Sequence, residues 1–292
     1  MRNSLIILLS LSLLMLPAIA CTITLPSVKT QVGKLREESV QVPLEDAADA
    51  EVDITFGAGE LRLRPGVAEG LLEADFTYNV DELQPVLEQD RHGDRLEVTL
   101  HIETEGLSLN LGDKTRNEWD VRLSDRVPIS LGLDLGAARG RVNLGGLRLT
   151  DAHIRTGAAD VEVEWDQPNP ELLDLLEIDA GAANLEIHQL GNAHFDQLNF
   201  TGGAGNFSLD FSGDWQQSAR VSINAGLSNL TLILPEDVGV KVNTDDKALT
   251  NVNAAGFQRR ASAWVNDAYG ESDLELIINV DIGLGNLILI EE

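Results

Sequence analysis

The sequence is poor in cysteine, in basic residues and in long apolar runs, and each shortage excludes a class of protein. One cysteine among 292 residues excludes a disulfide framework and a cysteine-rich zinc site. With 21 basic against 48 acidic residues, the formal charge of -27 excludes nucleic acid and an anionic lipid surface as partners. After residue 20, no apolar run reaches the ~18 residues that a membrane-spanning helix requires.

Motifs of catalysis are also lacking. The sequence has no Gly-x-Ser-x-Gly elbow and no HExxH, and its five histidines form no Cys/His cluster. His188 and His194 flank one loop, and we interpret both as surface residues rather than as a zinc pair. The tryptophans are predicted to pack loops and edges rather than to bind sugars: Trp119, Trp165, Trp215 and Trp264. We therefore predict no enzyme, no catalytic residue, no metal ligand and no cofactor.

The N-terminus has the pattern of an exported protein. Arg2 precedes the apolar run Leu5–Leu16, so residues 1–20 are predicted to be a signal peptide. Pro17–Cys21 resembles a bacterial lipobox, in which the cysteine is acylated and becomes the mature N-terminus. Cys21 is therefore predicted to carry a lipid that anchors the chain to a membrane outside the cytoplasm, with residues 21–38 as the tether. The alternative is a secreted protein with one stray thiol.

A glycine-led corner recurs along the chain in forms such as GAADVEV, GAANLEI, GAGNFSL and GLSNLTL. Its first glycines are Gly57, Gly136, Gly157, Gly181, Gly203, Gly226 and Gly283. The five central copies are separated by 21, 24, 22 and 23 residues. In four copies an asparagine follows three residues later: Asn184, Asn206, Asn229 and Asn286. A period of about 22 residues is typical of a solenoid.

Apolar and polar residues alternate on both sides of each corner, most clearly in Val221–Pro235. This pattern predicts two strands joined by a bend. We expect the glycine to adopt φ > 0 and the asparagine to tolerate a left-handed conformation. The even spacing favours corners stacked in register over separate hairpins, whose turns prefer Asn-Gly or Asp-Gly. The predicted fold is all-β, with a β-solenoid, or β-helix-like stack, of about 22-residue coils over residues 126–292.

Residues 39–125 are predicted to form an N-terminal antiparallel β cap. Among its strand-like segments are Leu72–Val80 and Leu96–Ile102, and the turn His92–Arg95 between these two predicts a hairpin. The cap would cover the first edge of the stack, which would otherwise recruit another chain. Further along, Pro170–Leu176 has helical spacing, and we expect one or two helical turns there.

Several segments resemble the toast-rack domain of bacterial envelope proteins, a family often given a provisional adhesin label. They are Gly57–Gly66, Val142–Leu149 running into Gly157–Asp160, and Gly283–Leu287. The resemblance implies a β-solenoid-like stack, which is also found at the C-terminus of some cell-wall stress response proteins. It implies no catalytic residues.

The stretch TGGAGNFSLD, Thr201–Asp210, can be interpreted either as a calcium-binding repeat or as a corner. Its glycines resemble the calcium-binding nonapeptide repeat, but Phe207 stands where that repeat has an acidic ligand. In the frame of the other corners, Phe207 is the first inward residue after the bend. Other acidic residues near corners have the oxygen ligands that calcium needs: Asp160, Asp210, Asp214, Asp245 and Asp246. We favour a ladder of asparagine amides between coils over a calcium site.

These features predict a non-catalytic interaction module of the cell envelope, either adhesin-like or a scaffold. Its partner would be an envelope protein or a cell-wall polymer, and units could associate end to end. Two alternatives stay open: a sensor that reports envelope stress to a membrane partner and, less favoured, a carbohydrate-active β-helix enzyme. Fold by itself does not decide among these functions.

Overall fold

The computed structural model describes residues 27–28, 31–103, 108–109, 112–244 and 249–292. These residues form 19 strands and two short 3-10 turns, with no α-helix among them, so the all-β prediction is confirmed. The strands are β1 (Ser27–Val28), β2 (Arg36–Val42), β3 (Asp49–Pro65), β4 (Leu72–Tyr78), β5 (Pro85–His92), β6 (Arg95–Ile102), β7 (Ser108–Leu109), β8 (Asn117–Leu123), β9 (Ile129–Asn143), β10 (Leu149–Thr156), β11 (Asp160–Glu164), β12 (Leu173–His188), β13 (Phe195–Asp210), β14 (Ala219–Leu234), β15 (Gly239–Thr244), β16 (Leu249–Ala254), β17 (Gln258–Arg260), β18 (Ala263–Val265) and β19 (Glu275–Glu291).

Six long strands run through a corner glycine near their midpoints: β3, β9, β12, β13, β14 and β19. On each side of the corner every second side chain is buried, because successive side chains of a strand point to opposite faces. Around Gly157 the coil is split into β10 and β11. The arms before the corners form one sheet, called sheet A, and the arms after them form another, called sheet B.

The two sheets enclose one hydrophobic core. Across it, Phe200 of sheet A meets Phe207 of sheet B edge to face, with 5.1 Å between ring centroids. Phe207 is 2% exposed and pairs in register with Leu185 on one side and Leu230 on the other. Phe207 is therefore an inward residue of the stack, as its column in the repeat predicts.

The tryptophans pack against the body of the protein. Trp119 and Trp165 are buried in the core, and Trp119 makes edge-to-face contacts with Phe56 and Phe76. Trp215 and Trp264 are half-buried and pack against the core from its margin. All four therefore pack against the protein as predicted, but Trp119 lies in the core on β8 and not in a loop or at an edge.

From β9 to β14, coils that follow one another in the sequence lie side by side as parallel strands. The pairs Ala182–Ala204 and Ala204–Leu227 show that corners stack directly on corners. This arrangement buries one continuous core that a single 22-residue unit could not form. The predicted solenoid-like stack is confirmed.

Both ends of the stack depart from sequence order. At one end β3 lies beside β9 as a further coil. At the other end β19 is inserted between β14 and the short strands β15 and β16. The long, largely apolar β19 thereby gains a neighbour on each edge. The short strands β15 and β16 therefore lie beyond β19 in place of a long apolar edge, which would invite aggregation.

The N-terminal strands extend both sheets. β2, β4 and β8 pair antiparallel, while β6 and β8 continue the two arms of β3 as parallel neighbours. The predicted turn joins β5 to β6 in a two-residue hairpin with Gly93 at φ 66°, so the partner of β6 in this hairpin is β5 and not the segment Leu72–Val80. Strand β2 begins at Arg36, inside the segment 21–38 that the sequence assigns to a tether.

The helix predicted at Pro170–Leu176 is wrong, because β12 begins at Leu173. Strand β10 has one residue more than β9 between Leu149 and Asp151. At the start of β12, as in β10, the first two buried residues are three positions apart. Such a β-bulge leaves Leu173 and Leu176 both buried although they are three residues apart. Leucines at this spacing imitate one turn of a helix.

Candidate functional site

The corner glycines form a tightly packed column at the bend between the sheets. A Cβ atom on any of the six later glycines would lie 2.3 to 3.1 Å from the carbonyl oxygen of the corner glycine one coil away: Gly136, Gly157, Gly181, Gly203, Gly226 and Gly283. Gly57, at the start of the column, has no such neighbour within 4 Å. The column therefore needs glycine because backbones of adjacent coils approach too closely for a side chain.

The expected φ > 0 at these glycines is wrong, since none of the seven has a left-handed φ. The unusual conformation lies two residues later, at Gly59, Gly205 and Gly285, with φ of 126°, 159° and 151°. None of the four corner asparagines has a positive φ either.

The four asparagines lie in one column on the outer side of the corner. The Asn206 side-chain amide donates to Asn184 Oδ1 at 2.9 Å, Asn229 donates to Asn206 at 3.0 Å, and Asn286 donates to Asn229 at 2.7 Å. Each amide thus ties its coil to the next. The same column continues through Asp160, which pairs with Asn184.

The acidic residues near the corners do not converge on one another in the described chain. The Asp210 carboxylate accepts hydrogen bonds from the backbone N–H groups of Ser212, at 2.8 Å, and Gln189, at 3.3 Å. It therefore caps a loop. Asp245, Asp246 and the predicted lipid-attachment residue Cys21 lie outside the described residues.

A groove crosses the outer face of sheet B from β4 and β8, over β3 and β9, to β11 and β12, and encloses about 500 Å³. We call it the sheet-B groove. Its acidic lining residues are Glu60, Asp75, Glu118, Asp120, Asp160, Glu162 and Glu186, and its basic ones are Arg62, Arg139 and Arg141. Asp75, Glu118 and Asp120 also pair with Arg122, Arg116 and Arg64 just outside the lining, so the uncompensated carboxylates lie at the end formed by β11 and β12.

The guanidinium groups that line the sheet-B groove form only long ion pairs or none with the described residues. Arg139 Nη1 lies 3.8 Å from Glu60 Oε1, and Arg62 Nη1 lies 3.9 Å from Asp120 Oδ2. Exposed pairs at such distances contribute little free energy. Arg141 is exposed and forms no ion pair with any described residue. The groove thus presents both hydrogen-bond donors and carboxylate acceptors to solvent.

Carboxylates also crowd the outer face of sheet A. Burial, reinforced by the nearby charges of Asp134 and Glu97, raises the pKa of Asp53. Burial, together with the charge of Asp174, raises the pKa of Asp151. A carboxyl group whose pKa is raised on folding holds its proton to higher pH than in the unfolded chain. The outer face of sheet A therefore brings several partly buried carboxyl groups close together.

His153 lies on this acidic face, beside Glu177 and Asp179 of the neighbouring strand. A search for histidine motifs does not find the group of His153, Glu177 and Asp179, but the spacing of the repeat indicates it. The interval of 24 residues between Gly157 and Gly181 also separates His153 from Glu177. Residues one interval apart become neighbours when coils stack in register. His188 lies instead near Glu162 and Glu186, at 3.9 and 3.8 Å.

The family model described as the N-terminal domain of toast_rack, DUF2154, matches residues 31–188 and 172–233, which together span more than half of the chain. A solved protein from Clostridium sporogenes, provisionally named a cell adhesion protein, is 21% identical with a TM-score of 0.47, over 89% of this chain and 100% of that one. A provisionally named adhesin from Bacteroides fragilis is 11% identical with a TM-score of 0.40, over 88% and 97%. No curated protein matches the chain.

The described part of the chain contains no helix with the length and apolar character needed to cross a membrane.

Proposed function

The chain belongs to the toast-rack family, and from this premise we propose that it is a non-catalytic interaction module of the cell envelope, tethered to a membrane by a lipid on Cys21. The stack supports such a role because one continuous core holds the two sheets together, which leaves the side chains of their outer faces in contact with solvent. A rigid sheet surface can hold polar groups at fixed spacing, which favours recognition over loosely held contacts.

The observation that carries the proposal is the end of the sheet-B groove where Asp160, Glu162 and Glu186 lie around Arg141, which has no ion pair among the described residues. This charge favours a protein partner that presents a mainly basic surface with an acidic group opposite Arg141. A polyanionic wall polymer would be repelled. A flat sugar ring would find little to stack on, because Trp119, the aromatic residue among those that line the groove, is 2% exposed.

Site-specific photo-crosslinking in intact cells tests the groove. We expect a crosslinker that replaces Arg141 to capture a basic envelope protein, and one that replaces Arg220, an exposed arginine on the outer face of sheet A, to capture none. Changing Glu162 and Glu186 to glutamine, with the crosslinker at position 141, should lower the yield several-fold, because long-range attraction sets the association rate. Equal capture at both positions, an acidic partner, or a glycan in place of a protein would contradict the proposal.

The tether has its own test. In a Cys21→Ser variant, we expect the chain to leave the membrane fraction and to lose incorporation of a labelled fatty acid, since acyl chains are the proposed source of membrane affinity. A Ser27→Ala variant, changed beyond the lipobox, is the control and should behave like the wild type. If the wild-type chain takes up no label and the Cys21→Ser variant stays with the membrane, the lipid anchor is refuted. The groove proposal would be unaffected by that result.

A further inference from the structure

The His153, Glu177 and Asp179 side chains converge on the outer face of sheet A, the face opposite the sheet-B groove. One ring nitrogen of His153 and one carboxylate oxygen from each acid all lie within 4.8 Å of one another. His153 Nε2 is 3.2 Å from Asp179 Oδ2, and Nδ1 is 3.8 Å from Glu177 Oε2. All three side chains are half-buried on strands β10 and β12, which hold their spacing fixed.

The two distances involve different ring nitrogens, and one nitrogen taken with one oxygen of each acid spans at most 4.8 Å, so the groups must draw closer together to bind one ion. Nitrogen and oxygen ligands lie about 2.0 to 2.2 Å from Zn²⁺ in a tetrahedral site, which places the ligand atoms about 3.4 Å from one another. An imidazole with two carboxylates is a ligand set that zinc accepts, whereas calcium takes six to eight oxygens. Small side-chain rotations would therefore bring the three groups onto an ion of the zinc type.

A cavity of about 270 Å³ opens beside His153. It exists because the outward position of β9 next to His153 is Gly132, which has no side chain. Asp53 leans over this glycine so closely that a Cβ there would lie 2.1 Å from Asp53 Oδ1. The cavity leaves room for the remaining ligand of an ion, either a water molecule or Asp53. Asp134 and Asp151 also line it and add negative charge.

We propose that His153, Glu177 and Asp179 form a binding site for one divalent transition-metal ion, with Zn²⁺ as the ion that fits best. The site lies on the other sheet from the groove, so the proposal does not depend on the proposed function. A metal ion here would join strands β10 and β12 through their side chains and would compensate the charge of an acidic face.

In this structure the guanidinium group of Arg155 lies beside the three proposed ligands and provides positive charge there. Its guanidinium Nη2 lies 3.2 Å from His153 Nδ1, its Nη1 lies 3.5 Å from Asp134 Oδ1, and its Nε lies 3.9 Å from Asp179 Oδ2. Arg155 is exposed enough to swing into solvent. A bound cation would displace it, so the arginine competes with the metal.

Isothermal titration calorimetry of the full chain with ZnCl₂ tests the site. We expect one equivalent of Zn²⁺ to bind, with affinity lowered at least about tenfold in His153→Ala and in Asp179→Asn. Arg155→Gln should bind Zn²⁺ several-fold more tightly, because the competing cation is gone. Zn²⁺ should also raise the melting temperature of the wild-type chain, since an ion that binds the folded state stabilises it.

His188→Ala is the matched control, because His188 also lies near two glutamates on a sheet surface but outside the three-residue group. It should leave the affinity unchanged. The proposal is overturned if the wild-type chain binds no Zn²⁺ at about 1 mM, or if His153→Ala binds it as tightly as the wild type. It is also overturned if His188→Ala rather than His153→Ala abolishes binding, or if Arg155→Gln weakens it. Because all four side chains are on the surface, unchanged circular dichroism spectra will show that the variants are folded.

Discussion

A Phe207→Asp variant is expected to lose at least about 4 kcal/mol of unfolding free energy. Phe207 is 2% exposed, packs edge to face on Phe200 and lies between Leu185 and Leu230 in the central column of the core. The change removes a large apolar side chain and places a carboxylate where those neighbours offer no donor. Urea denaturation, compared with the wild type, measures the loss.

Ser208→Asp is the control for adding a carboxylate to the same strand. Ser208 points to the opposite face and pairs with Glu186 and Thr231. The expected loss is less than about 1 kcal/mol, the usual size of a like-charge pair across strands. If Phe207→Asp instead kept its melting temperature and gained affinity for calcium, the stretch Thr201–Asp210 would be a calcium repeat and its place in the core column would be refuted.

A Gly285→Ala variant is expected to lose about 3 kcal/mol. Gly285 has φ 151°, and a Cβ atom there would lie 1.7 Å from the carbonyl oxygen of Ser228 on the adjacent strand. Neither backbone can retreat without opening the pairing of β14 with β19, which continues on both sides of this point. Thermal and urea unfolding of the variant measure the loss.

Gly57→Ala is the control, because Gly57 lies in the same kind of bend, at the corner position, but no atom lies within 4 Å of the place that a Cβ would occupy. Its unfolding free energy should stay within about 0.5 kcal/mol of the wild type. Equal losses in the two variants would mean that the glycines of the bend act through chain flexibility alone. The close approach of backbones would then not be the reason for glycine at Gly285.

The sequence could predict much of each coil, because strand alternation and corner residues are local signals. The column of Phe207 and the stacking of corners follow from period-two patterns and equal spacing. The turn at Gly93 was predicted from its own residues, but its first strand is β5 and not Leu72–Val80. The prediction failed at Leu173 and Leu176, where a bulge gives two buried residues the spacing of a helix. A short window cannot distinguish these two causes of the same spacing.

The candidate sites were less predictable, because they join residues from different coils. His153 and Glu177 are one repeat interval apart, so their pairing could be derived once the stack was assumed. The opening beside them depends on Gly132, and the sheet-B groove depends on β4 and β8 extending the sheet beyond β3. Strands β4 and β8 do not follow the 22-residue spacing of the coils, so the repeat could not predict where they lie.

By itself the sequence determined that the chain is all-β, that each coil bends at a glycine and which side chains point inward, since backbone preference and hydrophobic alternation act within one coil. Only the tertiary structure decided the order of the coils, with β3 beside β9 and β19 beside β14. The physical reason is that every corner has nearly the same chemistry, so any coil can stack on any other. Edge protection and packing between whole strands then decide which neighbours are chosen. The same close stacking, rather than a special φ, explains why the corners begin with glycine.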